Sequence, residues 1–367
     1  MLDAKLTRRA FLSLAATASL AACGGGGGSD AGSDAGADAG SDAGAGSDAA
    51  AGAAAGAKII MITDVGGVHD QSFNQLSWAG LQRLQDEFGW EVSYIESKQE
   101  ADYITNLDKA VDEEPSLIWG IGFAMADAIN QVADQNPDVK FAAIECTNDI
   151  GVSNLTGVNF KSEESSFVVG YIAARMSKSG KVGFIGGVDS EIIQAFQNGY
   201  FAGVEYANKE QGTSVTYEGQ MAESFADAAK GMSIAQKMID AGADVVYHAA
   251  GLTGTGMIEA CDEAGIYAIG VDMDQSYLAP NTVITSALKC VDEAIYKVSK
   301  ELVNDEVPGG ENMVLGAADG GVGIAETHDL LPEDVYEAAL GLLELMKAGD
   351  IEVPSTADGL SDYIASL

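Results

Sequence analysis

The sequence predicts an α/β fold made of two doubly wound lobes joined by a hinge that the chain crosses several times. Three observations support this. From Lys58 onward, short β-branched or aromatic runs alternate with stretches of helical periodicity, the pattern of parallel sheets with right-handed crossovers. The alternation pauses at Gly157-Val-Asn-Phe160 and then resumes, so it builds one lobe and then another. Strand-like segments at 282–287 and 312–317 follow the second run with only one helix between them, at 291–303. Such leftovers fit a chain that crosses back between lobes, and a ligand would then lie between the lobes at the C-terminal ends of the strands.

Taken in order, the first run holds candidate strands at 58–63, 91–96, 116–122, 140–145 and 155–160. The second holds strands at 181–187, 214–219, 244–251 and 267–272. Between them, Phe73, Leu76, Leu84 and Phe88 share one face of a helix over 72–88, and Ala228, Met232, Ala235 and Met238 do so over 227–241. The expected lobes are 58–158 with 285–318, and 159–284 with 319–367.

The first 23 residues read as an export signal rather than as part of the fold. A basic start and a short apolar run lead to Leu20-Ala21-Ala22-Cys23, too short to count as a spanning helix. Leu-Ala-Ala-Cys resembles the bacterial lipobox, in which the cysteine is acylated, so Cys23 is the expected lipidation site, with palmitate as the expected type of lipid. Arg8-Arg9 within Thr-Arg-Arg-Ala-Phe-Leu resembles a twin-arginine signal. Residues 24–57 are nearly all Gly, Ala, Ser and Asp. Without large apolar side chains they cannot offset the entropy of ordering, and a flexible acidic linker reaching about 30–35 Å is expected.

Formal net charge is −37, from 56 acidic and 19 basic residues. No surplus of cations is available to neutralise a phosphate backbone, which excludes nucleic acid as a natural partner. Once Cys23 is assigned to lipid, Cys146, Cys261 and Cys290 remain. This odd number argues against a disulfide framework, though one bridge between two of them stays open. His69, His248 and His328 show no metal-ligand spacing, and neither a metal nor a cofactor is expected.

Candidate ligand residues are sought just after strands. After the first strand, Asp64-Val-Gly-Gly-Val-His69-Asp70-Gln71-Ser72-Phe73-Asn74-Gln75 offers Asp64 as a ligand carboxylate. Asp70 and Ser72 are placed either to cap the next helix or to meet ligand, and Phe73 reads as core from its spacing alone. Asp127 stands in the first turn of a later helix, where the helix dipole also accounts for it. Phe225, in a loop with no helical face, suits a stacking platform. Gly251 lies in a glycine-rich turn that lacks both dinucleotide-binding and P-loop spacing, so it reads as a backbone-contact site. Asp272 and Lys289 could accept from and donate to vicinal hydroxyls, or could pair as an interlobe salt bridge. No nucleophile elbow, cysteine–histidine pair or Walker sequence is present.

Several motifs in order resemble the basic membrane lipoprotein (BMP) family. They are Asp64-Val-Gly-Gly-Val-His-Asp-Gln-Ser-Phe-Asn-Gln, Ile118-Trp-Gly-Ile-Gly-Phe with Asp127, Gly183-Phe-Ile-Gly-Gly, Ala249-Ala-Gly-Leu-Thr-Gly-Thr-Gly, Ile269-Gly-Val-Asp-Met-Asp-Gln and Thr285-Ser-Ala-Leu-Lys. Members are purine nucleoside receptors that serve as substrate-binding lipoproteins of ABC transporters. The resemblance implies a type I periplasmic-binding-protein-like clamshell that holds the base between Phe73 and Phe225. It further implies polar contacts from Asp64, Asp127, Gly251, Asp272 and Lys289, with His69, Asp70 and Asn74 joining from the first motif. Members more often carry Asn where this chain has His69, a position that bears on the base edge.

The expected protein is therefore a monomeric, non-enzymatic receptor, lipid-anchored on the extracytoplasmic face of the cell membrane, that delivers a purine nucleoside to an ABC transporter permease. A receptor for a sugar, riboflavin or another small ligand on the same clamshell is the binding-class alternative. A surface nucleoside hydrolase using Asp64, Asp70 or Asp127 as its base is the enzymatic one.

Overall fold

A computed structural model of the chain describes residues 56–306 and 309–367. The expected export signal, Cys23 and the part of the expected linker up to residue 55 lie outside the described residues. The chain first builds β1 (Lys58–Ile62), α1 (Phe73–Phe88), β2 (Glu91–Ile95), α2 (Tyr103–Asp112), β3 (Leu117–Ile121), α3 (Ala126–Gln135), β4 (Phe141–Ile144) and β5 (Leu155–Phe160). It then passes into α4 (Ser162–Met176), β6 (Lys181–Gly186), α5 (Glu191–Gln211), β7 (Thr216–Met221), α6 (Ala228–Asp240), β8 (Val245–Ala249), α7 (Leu252–Ala264), β9 (Tyr267–Asp272) and β10 (Val283–Lys289). It returns for α8 (Val291–Val303) and β11 (Asn312–Leu315), and ends with β12 (Val322–Ile324), α9 (Glu333–Ala348) and α10 (Ala357–Ser366).

Two six-stranded sheets result, ordered β11-β5-β4-β3-β1-β2 and β12-β10-β9-β8-β6-β7. All pairings are parallel except β10 with β12. The central strands β1, β3 and β8 are almost or entirely buried, as sheets covered by helices on both faces require, whereas the edge strands β2 and β7 stay partly exposed. This is the predicted two-lobe α/β class.

The expected lobe boundaries need correction. The strand expected to begin the return to the first lobe is β10, which pairs with β9 in the second sheet, and the crossing follows Lys289 instead. Likewise all of β5 belongs to the first sheet, so the first crossing lies beyond Phe160 rather than at 158. β12 went unpredicted because three residues are too few for an alternating pattern to register.

Glycines set the spacing of the second lobe's helices. A Cβ on Gly170 of α4 would lie 2.1 Å from the Tyr200 carbonyl oxygen of α5, and one on Gly203 would lie 1.9 Å from that of Phe167. The two backbones can approach this closely only without side chains there. In each sheet the strand order reverses beside the first strand, between β1 and β3 and between β6 and β8. Loops leaving these strand ends therefore diverge and open a crevice.

The acidity has a physical consequence for this fold. Self-repulsion at −37 opposes the compact state, and the screening length drops from about 10 Å at 0.1 M salt to about 3 Å at 1 M. The melting temperature is expected to rise over that NaCl range. A flat or falling melting temperature would show that the surface charges are already compensated.

Candidate functional site

Loops from both switch points line one cavity between the lobes. Asp64, two residues beyond the end of β1, is half-buried in its wall. Asp64 Oδ1 accepts from the Gly66 N–H at 2.8 Å and from Asn74 Nδ2 at 2.8 Å, while Oδ2 accepts from no described residue. Burial lifts this carboxyl to about 6, and the neighbouring Asp70 adds to the rise against those two hydrogen bonds. Asp64 thus presents one organised oxygen and one available oxygen to the cavity.

Asp70 is 2% exposed and saturated. It accepts from the Ser72, Asn74 and Gln75 N–H groups at 3.0, 2.8 and 3.0 Å, and from Asn74 Nδ2 at 2.9 Å. It satisfies the orphan donors at the start of α1, and its capping role leaves it no free lone pair of good geometry. Asn74 bridges Asp64 and Asp70 and so positions them. Ser72 does not cap α1 through its side chain; its hydroxyl donates across the cleft to Asp272 Oδ2.

The cavity's flat surfaces come from both lobes. Phe73, the first residue of α1, is half-buried and lines it, so the face that read as core opens at its N-terminal end onto the cleft. Phe225 enters from the loop between β7 and α6. Thr253 clamps this loop: its N–H donates to Phe225 O at 3.2 Å, and its hydroxyl donates to Ser224 O and accepts from Asp227 N, each at 2.9 Å. The ring lies over Gly187, where a Cβ would meet it at 2.0 Å. Phe123, just beyond β3, meets Phe225 edge-on with centroids 6.1 Å apart at 72°.

At the polar end, Lys289 terminates β10 at 4% exposure. Its Nζ lies 2.9 Å from Glu145 Oε1 and 3.7 Å from Asp272 Oδ1. Burial alone would lower the ammonium pKa, but the two carboxylates outweigh it and hold the pKa above the usual lysine range. Gly251 lines the same space at φ 54°, in the left-handed region that glycine tolerates. Behind it His248 is fully buried, held neutral by a pKa pushed down to about 4 by burial, with Nε2 3.0 Å from Gln275 Oε1. Gln275 Nε2 in turn donates to Gln71 O across the cleft at 3.0 Å, and the Tyr277 hydroxyl donates to Gln71 Oε1 at 2.8 Å. The cleft is closed.

This geometry has known counterparts. Residues 57–357 match the family described as ABC transporter substrate-binding protein PnrA-like. The chain belongs to the Bmp family. It is 38% identical over 312 residues to basic membrane protein A of Borreliella burgdorferi, covering 84% of this chain and 90% of that one. It is 36% identical over 320 residues to the CD4+ T-cell-stimulating antigen of Listeria monocytogenes, covering 81% and 87%. Among solved structures, an ABC transporter solute-binding protein of Aeropyrum pernix superposes with a TM-score of 0.77 at 28% identity, covering 84% of this chain and 97% of that one. This Bmp protein is thus an ABC transporter substrate-binding protein.

Within this Bmp protein the cavity gathers Asp64, Asp70, Phe73, Asn74, Phe225, Gly251, Asp272 and Lys289. Two expected contacts fall outside it. His69 is exposed and does not line the cavity, because the turn that buries Asp70 points the preceding side chain outward. Asp127 is exposed in the first turn of α3, where the helix dipole accounts for it. The Asp272–Lys289 pair does not bridge the lobes either, since both residues sit on adjacent strands of the second sheet. Among the described residues the interlobe ion pair is Glu145–Lys289.

Sequence reasoning missed Glu145, Phe123, Phe196 and Thr253. Glu145 and Phe123 each follow a strand end, the signal that picked out Asp64. Phe196, buried within α5, carries no such signal. Among the described residues no group of side chains is arranged to hold a metal ion, no helix is long and apolar enough to cross a membrane, and Cys146, Cys261 and Cys290 are free thiols.

Proposed function

We propose that the protein captures a purine nucleoside between its lobes and delivers it, as a monomer, to an ABC transporter permease, while lipid on Cys23 holds it on the extracytoplasmic face of the cell membrane. One observation carries the reading: Phe73 and Phe225, from opposite lobes, share a cavity with the carboxylates of Asp64 and Asp272. Apolar rings suit the faces of a planar base, and acceptors suit its edge N–H groups and the ribose hydroxyls. Lys289 is the cavity's cation and is already matched by two carboxylates, so a phosphorylated ligand would meet net negative charge. The ligand is neutral and donor-rich. Asp64, Phe73, Phe225, Gly251, Asp272 and Lys289 hold it, with Asp70 and Asn74 supporting Asp64.

Isothermal titration with guanosine, adenosine, inosine, their bases, ribose and riboflavin tests this. A nucleoside is expected to titrate most tightly and to be recovered intact after incubation. Heat only with ribose or riboflavin, or release of free base, would replace the proposal with a different receptor or with a hydrolase. Cys23→Ala is expected to shift the protein from the membrane to the soluble fraction at unchanged nucleoside affinity. A membrane-bound variant would refute the lipid anchor.

A further inference from the structure

Glu145 stands out among the cavity residues. It follows β4 in the first lobe at φ 57°, a left-handed conformation that costs energy for a side chain of this type and that surrounding structure must enforce. It is 5% exposed, lines the cavity, and accepts from Lys289 Nζ at 2.9 Å across a sequence separation of 144 residues. Its Oε2 accepts from no described residue. Lys289 belongs to the other lobe and is otherwise enclosed by rings: its Nζ lies 4.6 Å from the centroid of Phe73, 5.2 Å from Phe196 and 5.9 Å from Phe160.

We infer that Glu145 is a positioning residue that latches Lys289 across the cleft, so that the ammonium gains its second carboxylate and is aimed at the ligand only when the lobes close. When the cleft is open, water solvates Lys289 and Asp272 is its nearby carboxylate. Closure strips that water and packs the ammonium against aromatic faces, which is tolerable only if a second charge partner arrives. The first lobe supplies this partner from β4, the strand next to β3 at the switch point. Closing the lobes and completing the charge pair are then one event, which makes closure cooperative with ligand seating.

This inference rests on the nucleoside reading only for its binding arm. That arm is a double-mutant cycle on affinity for whichever of guanosine, adenosine or inosine titrates into the wild type. Glu145→Gln, close to isosteric, is expected to weaken binding roughly 10- to 100-fold, less than full loss of a buried pair because Lys289 keeps Asp272. In the Lys289→Met background the same change is expected to cost less than about 3-fold, because no buried cation is left stranded. Glu145→Asp is expected to restore part of the affinity, which would not follow from a purely structural role. Equal fold-losses in both backgrounds would overturn the latch.

The second arm needs no ligand. Small-angle scattering of the ligand-free proteins is expected to show a larger radius of gyration for Glu145→Gln than for wild type, reverting in the double variant. Indistinguishable curves for all three would overturn the latch. Silence of the wild type toward every nucleoside would instead overturn the functional reading, and the scattering comparison alone would then decide the role of Glu145.

Discussion

Phe225→Ala is expected to weaken nucleoside binding about 5- to 150-fold, the range that corresponds to roughly 1–3 kcal/mol for one base-stacking ring. The size of the effect depends on how little freedom the ring has. Thr253 ties down the loop on both sides of it, Gly187 provides the floor it lies on, and Phe123 abuts its edge. A ring already fixed in place loses little entropy when a base settles on it, so most of the stacking free energy appears as affinity. Phe123→Leu, which removes only the edge contact, is expected to cost several-fold less. Titration with both variants checks this, and an unchanged dissociation constant for Phe225→Ala would mean that the ring is not a stacking platform.

The second large effect is expected at Asp64, where stability and binding should move in opposite directions. Its carboxyl pKa is raised by burial from 3.8 to about 6 in the folded protein. Between those values the folded state binds more protons than the unfolded chain, so stability falls as pH rises through about 6, and above that the full cost of the buried charge is present. Asp64→Asn removes this cost. Its Oδ1 can still accept from Gly66 N–H and Asn74 Nδ2, and the ligand-free variant is expected to be more stable at pH 7.5 by on the order of 1–3 kcal/mol.

Nucleoside affinity should respond the other way, because a donor on the ligand prefers the ionised Oδ2. In the wild type the dissociation constant is expected to rise as pH drops below about 6, approaching tenfold per unit, and in Asp64→Asn this step should vanish while affinity at pH 7.5 falls. Thermal melts and titrations between pH 5 and 8 read both effects. An unchanged pH step in the variant would assign that proton to another group, and a destabilised variant would mean that the charge at Asp64 is compensated.

Much of this site was legible from local pattern. Asp64, Gly251 and Asp272, which line the cavity, could be picked out as candidates because each ends a strand or follows one closely, and parallel sheets put ligands at those ends. Phe225, which also lines it, could be picked out because an aromatic ring in a loop lacks a helical face to pack on. Phe73 shows the limit of the same approach: its spacing places it on the buried stripe of α1, and only the position of that helix's first turn at the cleft mouth makes it a wall of the cavity. Asp127 and His69, expected as contacts from their motifs, are exposed and do not line the cavity, since a motif carries a residue's neighbours in sequence but not the direction of its side chain.

By itself the sequence determined the α/β class, the two successive lobes and the strand ends where a ligand would meet them. Those properties follow from residue spacing within single elements, and from the way short β-branched runs and amphipathic stretches must alternate to bury their apolar faces. The tertiary structure alone decided that β10 stays in the second sheet, that Lys289 therefore faces the first lobe, and that Glu145 is its partner there. Those outcomes depend on strand neighbours and on an ion pair spanning 144 residues, and no local periodicity encodes which distant strand end will close over which.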